Sequence, residues 1–405
     1  MRHRIFIDYN LQNFNTRIEV VNYVDKIGLI EGNISLNQNF FLLTLGMYKK
    51  PLGELNHGLS SGSLISSANA APLPKITIEN NHPIKLQFKN YILNITGGVS
   101  HGLMSDDSYQ TNPYLHEKWG YLKIINDQFQ FHFGLIHEAI WGGRTKEHGD
   151  LPNSLSDFVK VFFVSKGGQT SAINERINTL GNHLGMWDIG FSHLKGDIYI
   201  GTYIQHPFED QSGARWLLNW KDGLYGFIID DKLKRGLINK LNIEFIYTMN
   251  QSGSFEVSDS TYGWDDYYNH YIYLAGWTNN DRSIGTPFAT LGTNEARPFK
   301  HIENNRIKGF HIAFEGSFNK KVSFKHFSSL TKNYGTYYDN NRLKNLELPY
   351  KFDSPLVQYS ALIEIFLKDF LNYDKFDLGV RYAFDKGELF RDSSGFEFSI
   401  KYNFQ

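Results

Sequence analysis

The sequence predicts an all-β chain, a single transmembrane antiparallel β-barrel of the outer-membrane type with roughly eighteen strands. Three observations carry this. Large apolar and polar side chains alternate in segment after segment. The composition is aromatic-rich without being apolar overall, and the connections between segments are long at one end and short at the other. The alternation is clearest in the terminal stretch "GFEFSIKYNFQ", residues 395–405. Successive strand side chains point to opposite faces, so Phe396, Phe398, Ile400, Tyr402 and Phe404 lie on one side and Glu397, Ser399, Lys401 and Asn403 on the other. In a barrel the first face meets lipid and the second a wet lumen.

The same pattern recurs upstream. "LNIEFIYTM" sets Ile243, Phe245, Tyr247 and Met249 against Asn242, Glu244 and Thr248, and "GFHIAFEGSF" sets Phe310, Ile312, Phe314 and Phe318 against His311, Ala313, Glu315 and Ser317. "VQYSALIEIFL" and "DLGVRYAFD" repeat it. Many segments are near the nine to eleven residues that a tilted transmembrane strand needs. No sustained 3.6-residue pattern competes, though "TSAINERINTLGNH" has room for a short helix or an irregular loop. With no Pro-rich or Gly/Ser-rich linker and no repeat of fixed period, residues 1–405 read as one domain.

Composition excludes other classes. Phe and Tyr number 32 and 24 and aromatics make up 16%, yet the mean hydropathy is −0.39, the profile of strands with one wet face and aromatic girdles. The densest apolar run, "FFLLTLGMY", is about half of what a membrane-spanning helix requires. There is no cysteine, which removes thiolate chemistry and cysteine metal sites. A net charge of −1 gives no electrostatic footprint for nucleic acid. The start, "MRHRIFIDYNLQNF", has no continuous apolar stretch of signal-peptide type, and the strand pattern begins at Ile5; the sequence reads as beginning inside a longer precursor.

Loop lengths orient the barrel, because outer-membrane barrels pair short periplasmic turns with long external loops. Counting back from the last strand, the connections near 386–394, 331–355, 251–305 and 206–222 fall outside, and those near 370–375, 319–321, 232–240 and 193–197 inside. Upstream of about residue 180 the turn "NDQ" and the long segments 137–157 and 165–182 do not obey the rule together. A loop folded into the lumen or a miscounted strand would account for this.

Motifs for chemistry are weak. "GLSSG", Gly58 to Gly62, has the nucleophile-elbow spacing but lacks the strand-to-helix context and reads as a turn. "HEAIW" at 137–141 lacks the second histidine of a zinc helix, and the adjacent Asp265 and Asp266 do not flank a scissile bond as a glycosidase pair must. No metal, cofactor or catalytic role is expected. A binding role has better support. "TYGWDDYYNHYIYLAGWTNN", 261–280, groups Trp264, Tyr267, Tyr268 and Trp277 with Asp265, amides and a histidine. Sugar C–H faces stack on aromatic rings while carboxylates and amides satisfy hydroxyls. The competing reading places the aromatics from Tyr271 onward in a strand's interfacial girdle. Asp210 in "HPFEDQSG" and Trp141 are the further candidates.

Three stretches together resemble the Wzi family of capsule assembly outer-membrane proteins: "LSSGSLISSANAAPLPKITI" at 59–78, "IHEAIWGGRTKEHGDLPNSLSDF" at 136–158, and "YIQHPFEDQSG" at 203–213 followed by "DGLYGF" at 222–227. "YYNHYIYLAGWTNNDRSIGTP" at 267–287 fits the same resemblance. It implies an eighteen-stranded barrel lectin in the outer membrane that retains capsular polysaccharide or exopolysaccharide at the cell surface, with export machinery as a further partner, and a signal and helical segment ahead of the barrel. A porin or substrate-specific channel is the alternative. Bottom-up, the two prolines of "SANAAPLPK" predict a loop or strand edge, and "WGG" a tight backbone approach beside an aromatic.

Overall fold

A computed structural model of the chain describes residues 3–402 apart from 12–13, 24–25, 57, 108, 216–218, 252–264, 294–297, 337–351, 353 and 371–375. One sheet of 18 strands dominates it. The first four strands are β1 (His3–Leu11), β2 (Phe14–Tyr23), β3 (Lys26–Asn37) and β4 (Phe41–Met47). Next come β5 (Pro74–Asn80) and β6 (Ile84–Phe88), which share one place in the ladder because both pair with β7 (Tyr91–Leu103). The middle of the wall is β8 (Tyr114–Ile125), β9 (Phe129–Trp141), β10 (Asn182–Lys195), β11 (Ile198–Phe208), β12 (Gly223–Asp231) and β13 (Ile238–Tyr247). It ends with β14 (Ile307–Ser317), β15 (Val322–Asn333), β16 (Leu356–Leu367), β17 (Phe376–Gly387) and β18 (Ser393–Tyr402). Apart from β5 and β6, which both pair with β7, sequential neighbours pair antiparallel throughout. Among the described residues no pairing joins β18 to β1.

The two faces of the wall have the chemistry that the period-two pattern predicts. Outward positions such as Leu122, Ile124, Phe131, Phe133, Ile198, Ile200, Phe245, Phe310, Ile363 and Ile365 are exposed, and so are Phe396, Phe398 and Ile400 of β18. Apolar rows facing outward from a sheet are stable only against lipid. Inward positions carry charge in paired form. Lys75 meets Glu117 at 2.8 Å, and Arg381 bridges Glu364 at 2.7 Å and Glu397 at 3.1 Å. Tyr402's side chain, Asn403 and Phe404 lie outside the described residues.

Strand boundaries repair the loop count upstream of residue 180. Residues 137–141 are the end of β9, so 142–181 is one connection, and "NDQ" is the short turn between β8 and β9. Every long connection, 48–73, 104–113, 142–181, 209–222, 248–306 and 334–355, then leaves the same end of the barrel. The earlier conflict arose because the polar "HEA" of β9 read as loop. The expected helix appears as Ile173–Ile177, and "SANAAPLPK" runs as loop until Pro74 starts β5.

Candidate functional site

The connection 48–73 does not stand up from the rim; it folds into the barrel. Its backbone is held by inward side chains of strands far apart along the wall. Asp188 accepts from the Glu54 amide at 2.6 Å, Gln205 Oε1 from Leu64 N–H at 3.1 Å, and Glu244 from Ser61 N–H at 2.7 Å. His311 Nε2 donates to the Leu59 carbonyl at 2.9 Å, and Lys123 pairs with Glu54 at 2.7 Å. One connection touches β8, β10, β11, β13 and β14 only because the sheet curls around it. "GLSSG" is therefore a turn inside the lumen.

The acids that do this are themselves positioned by tyrosines lying across glycines. Tyr121 reaches Asp188 at 2.8 Å over Gly134, the residue between them in the ladder, where a Cβ would sit 2.2 Å from the ring. Tyr203 hydrogen-bonds Glu244 over Gly226 in the same way, with a Cβ there 2.0 Å from its ring. Glycine is required at both crossings because a side chain would occupy the ring's place.

The connection 248–306 closes over this plug. Trp277 Nε1 donates to the Ile65 carbonyl at 2.8 Å, Tyr268 OH to the Leu64 carbonyl at 2.9 Å, and Asn279 Nδ2 to the Ala71 carbonyl at 3.0 Å. Leu64, Ile65, Tyr267, Tyr268, Ile272, Tyr273, Trp277 and Ile284 form one buried cluster with inward wall residues such as Ile136 and Leu184. Buried polar groups need partners, and here the plug's carbonyls supply them to the rings.

The structure thus brings together two of the segments singled out in the sequence and gives them a different environment from the one expected. Glu209 of "HPFEDQSG" accepts the amides of Asp266 at 3.3 Å and Tyr268 at 3.1 Å. Tyr267, Tyr268 and Trp277 are buried to 1% exposure or less, so they offer no ring face to a ligand in this conformation. The girdle alternative does not hold either, since 265–277 forms turns and not a strand. Asp265 is buried, Asp210 half-buried, and Trp264 lies outside the described residues. Trp141 sits apart on the outer wall, packed on Phe158 with ring centroids 5.8 Å apart. The glycines after it take left-handed φ values of 65° and 73°, the tight approach that "WGG" predicts.

Sequence reasoning missed two features. One is the inward set Asp188, Gln205, Asn242, Glu244 and His311, visible only as the polar phase of the alternation. The other is Trp220, 57% exposed in the connection 209–222 with the Lys221 ammonium 5.0 Å from its ring centre. In "RWLLNWKDG" it stands apart from the aromatic cluster of 261–280.

Asp222 ties the two outer connections together. Its carboxylate accepts from the amides of Asn250 at 2.9 Å and Gln251 at 2.6 Å and from Tyr267 OH at 3.0 Å. Burial raises its pKa from 3.8 to about 6 against the opposing effect of those hydrogen bonds. A carboxyl with a raised folded value contributes stability that is full below its unfolded value and is lost as pH rises through the folded one. Closure of 248–306 is therefore expected to weaken between about pH 4 and pH 6, by an amount of order 3 kcal/mol at most. Hydrogen exchange at Asn250 and Gln251, corrected for intrinsic rate, should show more protection at pH 5 than at pH 7.5, with the difference lost in Asp222→Asn. Equal protection at both pH values in the wild type would refute it.

These observations define the class: an outer-membrane β-barrel whose lumen receives its own external loops. The sequence matches the family described as capsule assembly protein Wzi over residues 18–301, and the chain belongs to that family. No curated protein matches it in sequence. Among solved structures it is similar to Wzi of Escherichia coli, described as an outer-membrane, carbohydrate-binding β-barrel involved in group 1 capsule assembly. The identity is 11%, the match covers 97% of this chain and 76% of that one, and the TM-score is 0.61. OprD of Pseudomonas aeruginosa, also an outer-membrane protein, matches with 9% identity, 96% and 82% coverage and a TM-score of 0.45.

Proposed function

We propose that this protein is a lectin-like barrel that binds capsular polysaccharide or exopolysaccharide at the cell surface and retains it without altering it, receiving the polymer from export machinery. The observation that carries the reading is the lumen filled by the connections 48–73 and 248–306, in a chain of a capsule assembly family. A barrel closed in this way presents a surface at its long-loop end. The channel reading requires a clear path, and these loops stand in it.

The buried rings then act as the support of the binding surface. Tyr267, Tyr268 and Trp277 hold the loops with the buried Asp265, while Trp220, Asp210 and Trp264 are the groups we assign to glycan contact. A single sugar–aromatic stack contributes on the order of 1 kcal/mol. A long polymer is held by repetition, because one bound unit keeps the next at high effective concentration. In cells lacking the protein and complemented with Trp220→Ala plus Trp264→Ala, surface polysaccharide is expected to fall and polymer in the medium to rise, with folded barrel at the wild-type level. Unchanged retention with normal folding would remove these residues from the site.

A further inference from the structure

The connection 142–181 behaves unlike the others, because it folds down over the outside of the barrel. The register fixes this. Glu117 of β8 and Glu138 of β9 are directly opposite each other on the inward face, so their neighbours His116, Lys118, His137 and Ala139 face outward. His101 is opposite His116, and His183 is opposite Ala139, on that same outer face. Helix α1 (Leu155–Phe162) lies on His101, His116, Lys118 and Ala139 of this face. Phe158 packs 5.2 Å from the His101 ring and 5.4 Å from His116, Phe162 packs 5.3 Å from His116, and the Lys118 ammonium hydrogen-bonds the Phe162 carbonyl. Val161 is fully buried with Trp141, Ala139 and Leu180.

The helix is apolar on two sides. One stripe, Phe158, Val161 and Phe162, covers the wall. The other, spaced at i, i+4 and i+8, is Leu155, Val159 and Phe163, which are 80%, 47% and 69% exposed. Residues four apart share a helix face, so this is a continuous strip. The short helix α2 (Ile173–Ile177) adds two more exposed apolar residues, Ile173 and Ile177, also four apart. Lys166 and Arg176 are exposed beside them. Directly below on the same strands the lipid-facing row begins with Leu122 and Leu135.

We propose that 155–177 is an interfacial collar that seats Leu155, Val159, Phe163, Ile173 and Ile177 in the outer leaflet, with Lys166 and Arg176 at anionic headgroups. Two arguments select lipid as the occupant. The strip continues the barrel's lipid-facing surface, and basic residues flanking an apolar helix face are the composition that lies in a membrane interface, with the apolar side about 5–10 Å deep. The collar also solves a problem in the wall. Outward histidines and a lysine at the rim are poor neighbours for acyl chains, and α1 screens His101, His116 and Lys118 while offering lipid an apolar surface in exchange.

The absence of cysteine makes the test direct. Single cysteines at Val159, Phe163 and Ile177 carry a bimane label, with Phe133→Cys as the lipid-wall reference and the exposed Lys146→Cys as the water reference. Each full-length variant is checked for a heat-modifiable gel shift and reconstituted in phosphatidylethanolamine/phosphatidylglycerol vesicles containing brominated phosphatidylcholine. Labels at 159, 163 and 177 should be quenched as strongly as the label at 133, most by shallow bromines, while the label at 146 stays bright. Should Phe163→Cys fail to fold, Leu155→Cys reports on the same strip. Unquenched labels on the strip would overturn the proposal, as would shielding that develops only after polysaccharide is added.

Discussion

Trp277→Ala is expected to release the external loops while leaving the barrel wall intact. Trp277 is completely buried, and its indole N–H is the hydrogen bond that fastens 248–306 to the Ile65 carbonyl of the lumen loop. Removing a buried tryptophan ring costs about 3–5 kcal/mol from lost burial and the cavity left behind. That loss falls on the loop assembly, because the wall's strand pairings do not involve the ring. Limited proteolysis should cut within 248–306 in the variant and spare it in the wild type, while both migrate as heat-modifiable barrels. Cleavage at the same slow rate in both would mean that the loops are held from elsewhere.

Asp188→Ala should have an effect of similar size on the lumen loop. The Asp188 carboxylate is the acceptor shared by Tyr121 OH, the Glu54 amide, Gln205 Nε2 at 3.4 Å and His132 Nε2 at 3.3 Å. Taking away one member of a buried charged network costs about 3–5 kcal/mol, because the partners are left desolvated and unpaired. Gln205 also holds Leu64, so the disturbance passes along the loop. In planar bilayers the wild type is expected to carry little steady current, and Asp188→Ala, like a deletion of residues 52–72, to carry a sustained one. An open, ohmic wild-type channel would favour the porin reading.

The wall was legible in the sequence because every strand residue faces one of two media, and a period of two records the difference directly. Phe396, Phe398 and Ile400 against Glu397, Ser399 and Lys401 needs no knowledge of any other strand. The loops follow another rule. Trp277 meets Ile65 and Tyr268 meets Leu64, partners more than two hundred residues apart. Nothing local distinguishes an aromatic aimed at a plug carbonyl from one aimed at a sugar hydroxyl. In the 261–280 cluster, Tyr267, Tyr268 and Trp277 are buried against the lumen loop. The polar faces of the strands were visible too, but Asp188, Gln205, Glu244 and His311 look like any water-facing lumen residue until the loop they hold is in place. Trp141 packs on Phe158 and Val161 of a helix whose docking to the outer wall leaves no periodic trace in β9.

In the function proposed above, the barrel plugged by its own loops holds long surface polysaccharide through repeated weak contacts at its external end. The direct measurement is binding of purified capsular polysaccharide to the reconstituted protein immobilised at high density, compared with a short oligosaccharide of the same repeat. Tight, slowly dissociating polymer binding, weak oligosaccharide binding, and loss of the polymer signal in Trp220→Ala plus Trp264→Ala is the predicted result. No binding of the polymer by correctly folded wild-type barrel, alongside steady ion conduction, would contradict it.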